Sequence, residues 1–92
     1  MMHLEIVSPE AQLFSGQVES ITVPGTSGSF QILNNHAPIV STLTQGQVIL
    51  QGKISMTEEM KKHFTQAGDK TLFTIQSGVI EMRDNKAILL SD

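Results

Sequence analysis

Residues 23–38, VPGTSGSFQILNNHAP, decide how the rest of the chain is read. The β-branched run Ile21-Thr22-Val23 enters Pro24-Gly25, where proline fixes φ and glycine tolerates the positive φ of a tight turn, so a reversal is expected there. Gly28 allows a further reversal or a close backbone approach. Phe30 and Ile32 alternate with Ser29 and Gln31, which predicts a strand with one apolar and one polar face. Asn34-Asn35 ends that strand, because asparagine tolerates left-handed geometry, and Pro38 biases Ala37 toward extended backbone. His36 is therefore displayed from an irregular loop between two strands. Hydrogen bonding within its own loop and contact with a partner are both open to it.

The same alternation recurs on either side. Leu4 and Ile6 share one face of a first strand that Pro9 ends, with Met1 and Met2 as a frayed end before it. Ala11 to Ser15 predicts a short second strand with Gly16 as its turn. Val18 to Val23 follows, Ile21 and Val23 inward and Ser20 and Thr22 on the other side. Pro38 to Leu43 is another β-branched segment, and Gln45-Gly46 marks the next turn. Val48, Leu50, Ile54 and Met56 fall two apart with Gly52 in the intervening slot, predicting a hairpin at Gln51-Gly52-Lys53 in preference to a bulged edge. Thr71 to Ile75, Val79 to Met82 and Ala87 to Leu90 complete the pattern. Ser77-Gly78 is read as a turn or bulge before Val79, and Arg83-Asp84-Asn85-Lys86 as a polar reversal. Short strands at near-regular spacing predict an all-β fold, a two-layer antiparallel β-sandwich of about eight to ten strands.

Residues 55–68 break this pattern. Ser55 with Glu58 has capping-box spacing, acidic Glu58 and Glu59 precede Lys61, Lys62 and His63, and Met56, Met60 and Phe64 form a stripe at i, i+4, i+8. These signals predict one short helix stopped near Gly68, with Glu58 and Lys62 paired on its solvent face. Met56 and Met60 are assigned to packing beneath this insertion in preference to an adaptable binding patch.

Composition narrows the function. The 92 residues make a single domain, 1–92, burying roughly 60 to 65% of the surface of its unfolded chain. There is no cysteine, so the core rests on aliphatic, Phe and Met side chains and no thiolate metal site exists. Net charge is −3 and the six Lys and Arg are scattered, which argues against phosphate-backbone binding and nucleic acid. Trp and Tyr are absent, removing the usual stacking platforms. No apolar run approaches the roughly 18 residues that span a bilayer. His3, His36 and His63 lack metal-ligand spacing, and His3-x-Glu5 needs a third ligand from elsewhere. Gly25-x-x-Gly28 lacks the lysine and following helix of a phosphate loop, and neither Ser15-Gly16 nor Ser77-Gly78 lies in a nucleophile elbow. No catalytic residue, metal or cofactor is expected.

The run Pro24-Gly25-x-x-Gly28-x-Phe30-x-Ile32-Leu33-x-Asn35-His36-Ala37-Pro38 closely resembles the N-terminal β-sandwich of epsilon subunits of the rotary ATP synthase. Met2 to Glu10, Leu13 to Gly16, Leu43-x-x-Gly46 and Ser77 to Glu81 resemble segments of that family in the same order, so the likeness covers all but residues 53–69. The resemblance implies a non-catalytic rotor subunit at the foot of the central stalk, between the gamma subunit and the polar loops of the c-ring. Its expected place is peripheral, on the cytoplasmic face of the energy-coupling membrane, touching the membrane only through the complex. By the family's arrangement Ser8 and His36 match positions that face gamma, and Thr26, Ser27, Gly28 and Ser29 those that face the ring. Ser29 departs from members that carry an acid there, so the electrostatic part of a ring contact is lost. Many relatives continue into an inhibitory C-terminal helical hairpin. The sequence stops at Asp92, and no such inhibition is expected. Two other readings stay open from the residues: a β-sandwich adaptor that takes an extended peptide along an exposed edge strand, and a small cupin-like metal enzyme.

Overall fold

The computed structural model describes residues 1–92. Ten strands and one helical turn follow in the order β1 (Met2–Val7), β2 (Gln12–Val18), β3 (Ser20–Gly25), β4 (Gly28–Leu33), β5 (Ile39–Leu43), β6 (Gly46–Gln51), α1 (Glu58–Lys61), β7 (Thr65–Ala67), β8 (Lys70–Ile75), β9 (Gly78–Arg83) and β10 (Lys86–Ser91). The strands form one sheet, β2-β1-β10-β9-β5-β3-β6-β8-β7, with β4 on the far side of β3. All pairs are antiparallel except β1 with β10.

The sheet folds on itself at β3. Residues 20–22 of β3 pair with β6, whereas Gly25 alone bridges to Leu43 of β5. Pro24 lies between these two pairings, so its missing N–H falls in a gap of the ladder. The close packing at this corner requires glycine. A Cβ on Gly46 would stand 2.9 Å from the Pro24 side chain, and one on Gly25 would stand 2.8 Å from both the Gly28 carbonyl and the Phe30 ring. The β2-β1-β10-β9-β5 layer and the β4-β3-β6-β8-β7 layer thus face each other across one core of 17 buried residues. The two-layer β-sandwich read from the sequence is the architecture found.

Several local expectations are corrected. Pro24-Gly25 stays in strand; the reversal is the two-residue turn Thr26-Ser27, and Gly28 is the residue with φ of 125°. Gly16 is no turn either. It lies within β2 opposite Leu4, where a Cβ would approach the Phe14 ring to 3.2 Å, so the glycine makes room for that ring. Met2 is fully buried, because β1 sits between β2 and β10 and is paired along its whole length.

The largest correction is at 51–68. β6 ends at Gln51 and pairs with β8, so neither a hairpin nor a bulge forms around Gly52. The helix is a single turn capped by Thr57, whose Oγ1 accepts the Met60 N–H at 3.2 Å; Ser55 is not the cap. Salt bridges join Lys61 to Glu58 and Lys62 to Glu59 in place of Glu58 with Lys62. Tertiary packing overrides the helical stripe here. Phe64 is drawn between Phe14 (5.8 Å, edge-on) and Phe73 (5.3 Å), which ends the helix, and β7 then returns along β8 as a hairpin. Met56, Met60 and Phe64 all pack on the core, although only Met60 lies in the helical turn.

Candidate interaction surfaces

The strand registers sort the loops to two ends of the sandwich. At one end lie residues 8–12, the Thr26-Ser27 turn, the 43–46 connection and the 75–78 connection. At the other lie Met1, Glu19, the 33–39 loop and the Asp84-Asn85 turn. Thr26, Ser27, Gly28 and Ser29 are all exposed at the first end. Their hairpin is braced: Thr26 N–H donates to the Thr42 carbonyl (3.3 Å), the Thr26 and Thr42 hydroxyls meet at 3.2 Å, and Thr44 N–H donates to the Pro24 carbonyl (2.8 Å). A small polar tip tied to β5 and to the connection after it resists bending while offering hydroxyls outward.

Ser8 and His36 are not brought together. Ser8 closes the turn after β1: its N–H and hydroxyl both reach the Ala11 carbonyl, and its Oγ accepts the Ala11 N–H at 3.3 Å. His36 lies at the opposite end, where its N–H donates to the Leu33 carbonyl and its Nδ1 lies 2.7 Å from the Ala37 carbonyl. The length of β1, about 20 Å for its six residues, separates the two ends.

Sequence reasoning missed Asn85, which holds the His36 loop. Its Oδ1 accepts the Asn35 N–H (2.8 Å), and its Nδ2 donates to Asn34 Oδ1 (2.9 Å) and to the Met1 carbonyl (3.1 Å). Asp84 and Asn85 both have positive φ, 53° and 59°, in a two-residue hairpin turn between β9 and β10. The one available signal was the Asp-Asn turn itself, which says nothing about a partner fifty positions away.

The outer face of the β2-β1-β10-β9-β5 layer was also unforeseen. Cross-strand neighbours Val7, Leu90 and Val79 make an apolar row near the Ser8 end. Leu90 is 52% and Val40 68% exposed. Toward the other end follow Glu5, Ile88 and Glu81 in one row and His3, Lys86 and Arg83 in the next. Lys86 Nζ lies 3.3 Å from Glu5 Oε2, and His3 Nε2 is 3.3 Å from the same oxygen. The Lys86 hydrogen bond holds the Glu5 carboxyl below its ordinary value, against a smaller opposing effect of desolvation, with His3 assisting.

No group of three or more His, Cys, Asp or Glu side chains is gathered so as to hold a metal ion. No helix is long and apolar enough to cross a membrane. What the surface of this β-sandwich offers is a braced polar tip, an amide-clamped loop and an apolar row.

Comparison with known proteins gives the family. The profile of the family described as "ATP synthase, Delta/Epsilon chain, beta-sandwich domain" matches residues 1–92, and the chain belongs to that family. It is 36% identical over 89 residues to the ATP synthase epsilon chain of Chlorobaculum tepidum, covering 97% of this chain and 86% of that one. It is 33% identical over 81 residues to the epsilon chain of Caulobacter vibrioides, covering 87% and 94% respectively. Among solved structures, a chain in the central stalk/c-ring of the Tetrahymena thermophila mitochondrial ATP synthase superposes with a TM-score of 0.72 over 98% of this chain and 62% of its own length. At 16% identity that likeness concerns the fold.

Proposed function

We propose that this epsilon chain is a non-catalytic rotor subunit that links gamma to the c-ring and so couples proton flow to ATP synthesis. Family membership supports this reading, and the observation that carries it is the braced tip Thr26-Ser27-Gly28-Ser29. A part that transmits torque has to be stiff where it is gripped, and this hairpin is cross-tied to β5 and to the connection after it. The tip is the surface for the ring's polar loops. Gamma takes Ser8 and His36, and a single partner that reaches both has to run the length of a strand. The outer face between them supplies apolar area at Val7, Val79, Leu90 and Val40 toward the Ser8 end and the charged His3-Lys86-Arg83 row toward the His36 end. The subunit sits peripherally on the cytoplasmic side of the membrane through these contacts.

The test is reconstitution with gamma and the c-ring. Ser27→Cys should cross-link to a cysteine in the ring's polar loop. Ser8→Arg and His36→Trp, each checked for an unchanged fold, should weaken co-purification with gamma. Retained gamma binding by both variants, with Val79→Lys and Leu90→Lys equally silent, would overturn the assignment.

A further inference from the structure

A third surface is left over by that reading, on the opposite layer. β4 pairs with β3 alone, so one of its edges is open. Gly25 and Gly28 flank a two-residue turn and exchange the first pair of ladder hydrogen bonds, and the alternation that follows turns the N–H and C=O groups of Ser29 and Gln31, and the N–H of Leu33, away from β3. The Leu33 carbonyl on this edge is taken by the His36 N–H. Open edges are commonly guarded by lysine, proline or a bulge, yet Gly28–Leu33 reads GSFQIL and carries none of these, and Leu33 is 53% exposed beside it.

Beside this edge lies an open groove of about 540 Å3 whose lining includes Glu19, Ser20, Gln31, Gln51, Lys53 and Asp69. Ser20 is only 5% exposed, and its hydroxyl orders the floor. It donates to Gln51 Oε1 (3.2 Å) and accepts from Gln31 Nε2 (3.3 Å). Those two bonds fix the amides, leaving Gln51 Nε2 as a donor and Gln31 Oε1 as an acceptor for a guest. Glu19 and Asp69 outnumber Lys53, so the groove favours a cation.

We propose that the β4 edge and this groove together hold an extended segment of a partner polypeptide, its main chain added as a strand to Ser29, Gln31 and Leu33 and a basic side chain lying in the groove. Main-chain pairing supplies affinity, and the groove selects the arginine or lysine. The site meets the Thr26-Ser27-Gly28-Ser29 tip only at Ser29, whose main chain faces the open edge; the groove lies toward the opposite, Leu33 end of β4.

The test uses the whole 92-residue chain with two capped peptides, acetyl-Thr-Val-Arg-Val-Thr-amide and its glutamate twin, followed by amide NMR. The arginine peptide should shift and protect the Ser29, Gln31 and Leu33 amides and bind about tenfold more tightly than the glutamate twin. Asp69→Lys should remove most of that preference. Gln31→Pro deletes an outward-facing N–H, a change an edge strand accommodates, together with the side-chain amide that bonds Ser20, so it should abolish binding, whereas Gln31→Ala, which loses the amide alone, should keep the strand-pairing shifts. Absence of shifts at millimolar peptide, shifts elsewhere, equal affinity of the two peptides, or self-association through β4 without peptide would each overturn the proposal. No other ATP synthase subunit is present in this assay, so its failure leaves the rotor reading standing.

Discussion

Replacing Asn85 by glycine separates a turn requirement from a clamp. Glycine adopts the positive φ of 59° at this position without strain, so the β9–β10 hairpin should persist. What disappears are the three side-chain hydrogen bonds to Asn35 N–H, Asn34 Oδ1 and the Met1 carbonyl. All are exposed, so each stands at the low end of the usual range, about 0.5 kcal/mol, and the loss is about 1.5 kcal/mol. For a domain of this size that lowers Tm by roughly 6 to 12 °C. Thermal unfolding measures the total, and hydrogen exchange should quicken at Asn35 while the Arg83 and Lys86 amides stay protected. Asn85→Asp retains the acceptor for Asn35 N–H but not the two donor bonds, and should fall between glycine and wild type. A glycine variant as stable as the parent, or one whose β9–β10 amides exchange as fast as Asn35, would refute the reasoning.

Three other outcomes are expected. Phe64→Ala removes the ring held between Phe14 and Phe73; because it is only half-buried the loss should be about 2 kcal/mol in urea unfolding, and a value near zero would mean the insertion does not brace the core. Thr57→Ala should cost up to about 1 kcal/mol, whereas Ser55→Ala should be silent, since Thr57 is the cap; the reverse order would restore the longer helix. Glu5 has a lowered folded pKa, so its contribution is complete above the ordinary carboxylate value and is lost as pH falls through the depressed one. Lys86→Met should move the Glu5 titration, followed by carbon NMR, up toward the ordinary value, and an unmoved titration would sink this account.

Alternation made most of the sandwich legible. Leu4 and Ile6, Ile21 and Val23, Val48 and Leu50 are buried where period two put them. Local signals erred where a distant residue decides. Gly16 reads as a turn until Phe14 is seen folding over it, and residues 55–68 read as a helix until Phe14 and Phe73 claim Phe64. Of the surfaces, the polar tip was named only through the family resemblance, since the residues alone put the reversal at Pro24-Gly25 in place of Thr26-Ser27. The Asn85 clamp, the apolar row and the groove were not, since each is assembled from strands far apart in sequence and no periodicity encodes which strands become neighbours.

The parallel pairing of β1 with β10 sets an order of events during synthesis. As the chain leaves the ribosome, β1 and β2 can join at once, yet the other neighbour of β1 does not exist until residues 86–91 have emerged. Until then Leu4, Ile6 and Phe14 wait on a two-stranded ribbon that is marginal in water. The keystone of that layer is therefore laid last, and a nascent chain stalled before residue 86 would present the cell with sticky strands in place of a domain.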